Sequence, residues 1–145
     1  MKRVVALDIG SVRIGVAVTD PLGLFAQGIA VWKAHGGWRA QFEECLKRYE
    51  PDRVVVGMPR RTDGTYGPEA ERIHALVDEL RTAYPQQLFE TWDERYTTTI
   101  AQRALIEGDV SRRKRKERVD KIAAALILQN WLEARDNAAQ HSPPS

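Results

Sequence analysis

The stretch RVVALDIGSVRIGVAVTD, residues 3–20, holds two β-rich runs around a single turn. Arg3 to Asp8 and Arg13 to Thr19 are dominated by Val, Ile and Ala, and the Gly10-Ser11 region supplies the turn between them. Asp20-Pro21-Leu22-Gly23 is a second turn signal, and a third strand is predicted near Phe25 to Trp32. Three strands joined by short turns read as an antiparallel meander.

Beyond Trp32 the pattern changes. Trp38, Phe42, Cys45, Leu46 and Tyr49 recur at helical spacing within residues 37–49. Val54 to Gly57 is a continuous apolar run, as expected of a strand buried on both faces. Gly67-Pro68 opens a second helix, with proline at its first position and Ile73, Leu76, Val77 and Leu80 as its stripe. A fifth strand is predicted over Leu88 to Trp92. Thr97 or Thr98 is placed to cap a helix from about Thr99 to Glu107, and a last helix is predicted from about Lys116 to Ala134.

This order, β-β-β-α-β-α-β-α-α, demands an α/β fold with a five-stranded mixed sheet, three antiparallel strands followed by parallel ones, flanked by helices. At 145 residues one domain is expected, over residues 1–135, with residues 136–145 as a disordered tail. Hydrophobic residues make up 43% and charged residues 29%, which fits a folded soluble protein. One cysteine, Cys45, excludes a disulfide framework, and its place in the first helix predicts a buried structural thiol. No run approaches the roughly 18 apolar residues that span a bilayer, so no membrane association is expected and the cytoplasm is the expected compartment.

Several carboxylates stand where packing alone would not put them. Asp8 lies in the apolar run Val4 to Ile9; capping of the following turn is one explanation and a functional ligand another. Asp93 and Glu94 follow the fifth strand, where two acids are either simply solvated or functional. On the last helix Asp120, Ala124, Ile127 and Trp131 share one stripe, beside the stripe of Val119, Ile122, Ala123 and Leu126. Asp120 therefore belongs at the core-facing edge of that helix. If these sites converge, anions about 4 Å apart repel by roughly 4 kcal/mol per pair at an effective dielectric near 20. A divalent cation is the natural counter-charge, and an all-oxygen donor set suits Mg²⁺ or Mn²⁺. The scattered His35, His74 and His141 disfavour zinc.

The net charge is only +2, but the cations cluster. Arg112, Arg113, Lys114, Arg115 and Lys116 are consecutive, Arg118 and Lys121 follow, and Asp120 stands among them. Read as a loop, this run grips the phosphates of a nucleic acid and leads directly to a metal ligand. Arg60 and Arg61 after the fourth strand, and Arg13 near Asp8, are further candidates for backbone contact.

Four blocks, ALDIGSVRIGVAVTD (residues 6–20), VVVGMPRRTDGTYGPEAERI (54–73), WDERYTT (92–98) and SRRKRKERVDKIAAALILQNWL (111–132), resemble in order the YqgF/RuvX family of Holliday junction resolvases. The resemblance implies an RNase H-like fold and a divalent-metal nuclease site akin to that of the RuvC resolvases. It assigns the first-strand aspartate to Asp8, the acid of the DER motif to Glu94, with Asp93 beside it, and the helix aspartate to Asp120. Family members are also associated with maturation of the 5′ end of the small-subunit ribosomal RNA precursor, so branched DNA and precursor rRNA are both implied substrates. The chain departs from RuvC-like sites in lacking a fourth carboxylate near Asp120, which leaves one or two metals open. Paired incision of a symmetric junction favours a homodimer. The first hairpin also resembles the phosphate-binding hairpin of actin-like and sugar-kinase ATP-binding domains, but that architecture needs two such domains. A non-catalytic nucleic-acid-binding or ribosome-assembly module is the other rival, and it leaves the three acids unexplained.

Overall fold

The computed structural model describes residues 3–59, 67–93 and 112–141, with side chains of the last segment described over 120–135. Strands β1 (Val4–Ile9), β2 (Arg13–Thr19) and β3 (Ala26–Lys33) form the meander. Helix α1 (Trp38–Tyr49), β4 (Arg53–Met58), α2 (Pro68–Ala83), β5 (Phe89–Asp93) and α3 (Arg112–His141) follow. The helix expected over 99–107 and its caps Thr97 and Thr98 lie outside the described residues.

The strands lie in the order β3-β2-β1-β4-β5. Strand β1 pairs antiparallel with β2 and parallel with β4, and β4 pairs parallel with β5. The carboxyl ends of β1, β4 and β5 thus share one edge of the sheet, which is also where β2 begins.

Alternation along β1 sends successive side chains to opposite faces. Val5, Leu7 and Ile9 join Val54, Val56, Phe42, Ile73 and Leu80 in the core beneath α1 and α2. Val4 and Ala6 join Ala17, Val55, Ala124, Ile127 and Leu128 beneath α3. The continuous apolar run of β4 has its explanation here, since both of its faces are covered. On the α1 side Phe42 is the hub, with ring centroids of Trp32, Trp38, Tyr84 and Phe89 5.4–6.4 Å away. Cys45 is buried in this layer, and burial pushes its thiol up to about 11.

Helix α3 differs from its expected form in three respects. It begins at Arg112, so the cationic run is helical rather than a loop. Arg and Lys are good helix formers, and no Gly or Pro interrupts the sequence between Arg112 and His141. It also continues to His141, through six residues of the segment expected to be a disordered tail, up to the Ser-Pro-Pro that follows. Finally, its buried stripe is Ala123, Ala124, Ile127, Leu128, Trp131 and Leu132, whereas Ile122 and Leu126 are only half-buried. The core stripe therefore runs through the positions beneath Asp120 rather than beside them.

Candidate active site

By the alternation of β1, Asp8 follows Val4 and Ala6 onto the α3 face, and it is half-buried there. Its partner across the β1–β2 ladder is Gly15. Antiparallel partners stand about 5 Å apart at Cα. Gly15 is also the point at which α3 touches the sheet. A Cβ built on it would lie 2.1 Å from the carbonyl oxygen of Asp120 and 2.7 Å from its carbonyl carbon. No side chain fits in that gap. Gly28 of β3 does the same for the next residue, its Cβ position lying 2.9 Å from the carbonyl oxygen of Lys121. Two glycines on neighbouring strands therefore form a ledge on which the helix backbone rests, and the ledge brings Asp120 next to Asp8.

Arg13, two residues before Gly15 on the same face of β2, completes the contact. Its Nε donates to Asp120 Oδ2 at 2.7 Å, with the two side chains 31% and 24% exposed. At that exposure the pair contributes no more than about 1 kcal/mol to stability, but it fixes the orientation of the carboxylate. The Gly10 N–H donates to the Arg13 carbonyl at 2.9 Å, closing the β1–β2 turn beneath the pair.

The direction of α3 follows from its two ends. Asp120 sits over the Arg13 end of β2, whereas Gln129 Oε1 accepts from the N–H of Ala26 at the start of β3. Asp120 lies over Gly15, two residues inside the start of β2, so the helix turns that begin at Arg112 lead toward and past that sheet edge. The cations Arg112, Arg113, Lys114, Arg115, Lys116 and Arg118 belong to this projecting part; their side chains lie outside the described set. Lys121 is exposed at the ledge.

Asp93 does not join Asp8 and Asp120. It pairs in register with Met58 and shares the parity of Phe89, and both Met58 and Phe89 belong to the core beneath α1 and α2. Asp93 is therefore on the opposite face of the sheet. Glu94, Arg60 and Arg61 lie outside the described residues. Among the described residues no three acids, histidines or cysteines gather as a metal-binding group. The donor chemistry of Asp8 and Asp120, two carboxylates on one face at the sheet edge, nonetheless fits a hard divalent cation. The role of Arg13 as the partner of Asp120, 107 residues away in sequence, had no local signal. The placement of Lys33 opposite Arg13 had none either, because both depend on strand register.

The 3-2-1-4-5 mixed sheet with helices on both faces is an RNase H-like fold. The fold agrees with solved resolvase structures. RuvC of T. thermophilus, solved in complex with a Holliday junction substrate, matches 94% of this chain and 97% of its own at a TM-score of 0.57 and 15% identity. The yeast mitochondrial Holliday junction resolvase Ydc2 matches 97% of this chain and 81% of its own at 0.60 and 11% identity. Within that class the chain belongs to the RuvX family, described as Holliday junction resolvase, whose model matches residues 2–134. A relative from Listeria monocytogenes serovar 1/2a is 47% identical over 138 residues, covering 90% of this chain and 97% of the relative. One from Heliobacterium modesticaldum is 46% identical over 142 residues, covering 94% and 93%. Both carry the name "Putative pre-16S rRNA nuclease".

Proposed function

We propose that this chain is a divalent-metal-dependent nuclease that hydrolyses phosphodiester bonds in structured nucleic acid, carried by a single domain over residues 1–135. Holliday junction-type DNA and the 5′ end of the 16S rRNA precursor are its candidate substrates. One observation carries the reading: the backbone of Asp120 rests on Gly15, the ladder partner of Asp8, at the sheet edge toward which the cationic turns of α3 lead. Glu94 is the third acid in this proposal, and Asp93 is set aside because it faces the other side of the sheet. Asp8, Asp120 and Glu94 would hold Mg²⁺ or Mn²⁺. When bound, the ion supplies activation of a water and stabilisation of the leaving oxygen. Arg13 holds the Asp120 carboxylate in place and offsets part of its repulsion with Asp8. The cations of α3, together with Lys121, hold the phosphate backbone on either side of the scissile bond. Paired incision of a junction would call for two such sites, hence a homodimer. Among the described residues no helix is long and apolar enough to cross a membrane.

The test is cleavage of a four-way DNA junction and of precursor 16S rRNA with Mg²⁺ or Mn²⁺, comparing wild type with Asp8→Asn and Asp120→Asn. Each variant is expected to lose cleavage by about 10²-fold or more while still binding the nucleic acid. Unchanged cleavage in both variants refutes the mechanism. Tight binding without cleavage by the wild type on either substrate supports a non-catalytic ribosome-assembly role instead.

A further inference from the structure

A groove adjoins the acid pair on its β3 side, with a volume of about 510 Å³ and a lining that includes Val12, Arg13, Val31, Lys33, His35 and Lys121. The strand register builds it. Gly15 pairs with Val31 and Arg13 with Lys33, so Val31 and Lys33 share the α3 face with Arg13. The Ala34 N–H donates to the Val12 carbonyl at 2.9 Å, which folds the end of β3 against the β1–β2 turn and brings His35 to the rim. Lys121 closes the groove from the helix, fixed there by its backbone contact with Gly28.

Two properties of the lining specify its occupant. Three cations face the groove and its described lining includes no carboxylate, while Val12, 61% exposed, and Val31 offer an apolar wall. An anion attached to a flat or apolar body satisfies both. Arg13 is the wall shared with the acid pair, since the same guanidinium holds Asp120. The groove is therefore continuous with the site. Lys33 lies on β3, two strand spacings across and two residues along from Asp8, or about 12 Å.

We infer that this groove is a nucleotide subsite. Lys33 and Lys121 hold a phosphate of the substrate strand beyond the bond to be cut, with the sugar and base against Val12 and Val31. The inference rests on the nuclease reading for its substrate class, but it concerns binding and is measured apart from cleavage.

The probes are a fluorescently labelled four-way DNA junction and a labelled single strand of one arm, titrated with the full chain by anisotropy in EDTA across a salt series. Lys33→Gln is expected to reduce the slope of log affinity against log salt by about 0.9 on the junction and about 0.7 on the single strand. Val12→Glu places an anion on an exposed wall and is expected to raise Kd about threefold or more. Lys47→Gln, an exposed cation on α1 across the sheet, is expected to leave the slope unchanged. An unchanged slope in Lys33→Gln overturns the subsite, as does an equal loss in Lys47→Gln. The outcomes separate from those of the nuclease reading. If Asp8→Asn cleaves like wild type, the acid pair fails and the subsite still stands or falls on the salt slope. If Asp8→Asn is inactive while Lys33→Gln keeps its slope, the subsite alone fails.

Discussion

Replacing Gly15 with alanine tests the contact on which the site depends. The added Cβ would stand 2.1 Å from the Asp120 carbonyl oxygen, and the atoms it meets are backbone, so no rotamer change relieves the clash. Ordinary van der Waals contact begins near 3.4 Å, so α3 must lift from β2 by roughly 1.3 Å at that point. Ala124, Ile127 and Leu128 lie on the next turns of the same stripe and are fully buried, so the lift loosens their packing as well. Overpacking of this kind costs about 1–3 kcal/mol. The alanine recovers about 0.5 kcal/mol by restricting the unfolded chain. A net loss of about 1.5 kcal/mol is expected, which lowers Tm by about 5 °C in a chain of this size. Cleavage is expected to fall further than stability explains, because a 1 Å displacement of a ligand group costs about 10²-fold.

Gly28→Ala supplies the internal calibration. Its Cβ would meet the Lys121 carbonyl oxygen at 2.9 Å and the Lys121 Cβ at 3.0 Å, a milder conflict. Its Tm is expected to fall less than that of Gly15→Ala. The measurements are thermal unfolding by circular dichroism and single-turnover cleavage, at a temperature where both variants are folded. A Gly15→Ala protein with wild-type Tm and wild-type cleavage would refute the ledge. So would a larger loss in Gly28→Ala than in Gly15→Ala.

Three further perturbations follow from the structure. Thr19 is 1% exposed and its Oγ1 accepts from the Val4 N–H at 2.9 Å; Thr19→Val leaves that donor buried without its acceptor and is expected to cost about 1–3 kcal/mol in a denaturant titration, whereas Thr19→Ser should keep most of it. Arg13→Gln breaks the partly exposed ion pair with Asp120, so stability should fall by no more than about 1 kcal/mol while metal affinity or cleavage falls about 10–100-fold; an equal, small change in both would remove Arg13 from the site. Asp20 accepts from the N–H groups of Phe25, Leu24 and Leu22, and these bonds, with Phe25 foremost, hold its carboxyl below the usual value of 3.8. A lowered folded pKa means that the ionised form stabilises the fold; its contribution is present above that usual value and is lost as pH falls through the lowered one. Asp20→Asn should therefore lose Tm near neutrality, with the gap to wild type narrowing in acid, and a gap that widens in acid would contradict the sign.

Much of the architecture was legible because it depends on local alternation. The apolar runs at residues 3–8, 13–19 and 54–57 became strands β1, β2 and β4 within one residue at each end, and the helical stripe of Trp38, Phe42 and Cys45 became a buried face. Position in space was legible only where the chain's own periodicity dictates it. The start of α3 was missed because a run of like charges resembles a solvated loop, yet Arg and Lys carry no penalty in a helix. Gly15 and Gly28 carried a weaker signal: a glycine in a strand interior marks a close backbone approach without saying whose backbone arrives. In this case it belongs to residues more than 90 positions away in the chain.

The same parity argument separates the acids at the end of β5. Phe89 points into the core under α1 and α2, Glu90 bonds the indole of Trp131 on α3, and Trp92 packs with the α3 core. Even-numbered positions of β5 thus face α3 and odd-numbered ones face away, which places Asp93 with the odd set. A one-residue slip in the β4–β5 register would not rescue it, because the whole strand would turn over and take Trp92 out of its contact. Asp93→Asn should consequently leave cleavage close to wild type, whereas Glu94→Gln should abolish it if the third ligand belongs with Asp8 and Asp120. The opposite ranking in a side-by-side Mn²⁺ cleavage assay would mean that the metal is held from the other face of the sheet, and the pairing of Asp8 with Asp120 across Gly15 would then need another purpose.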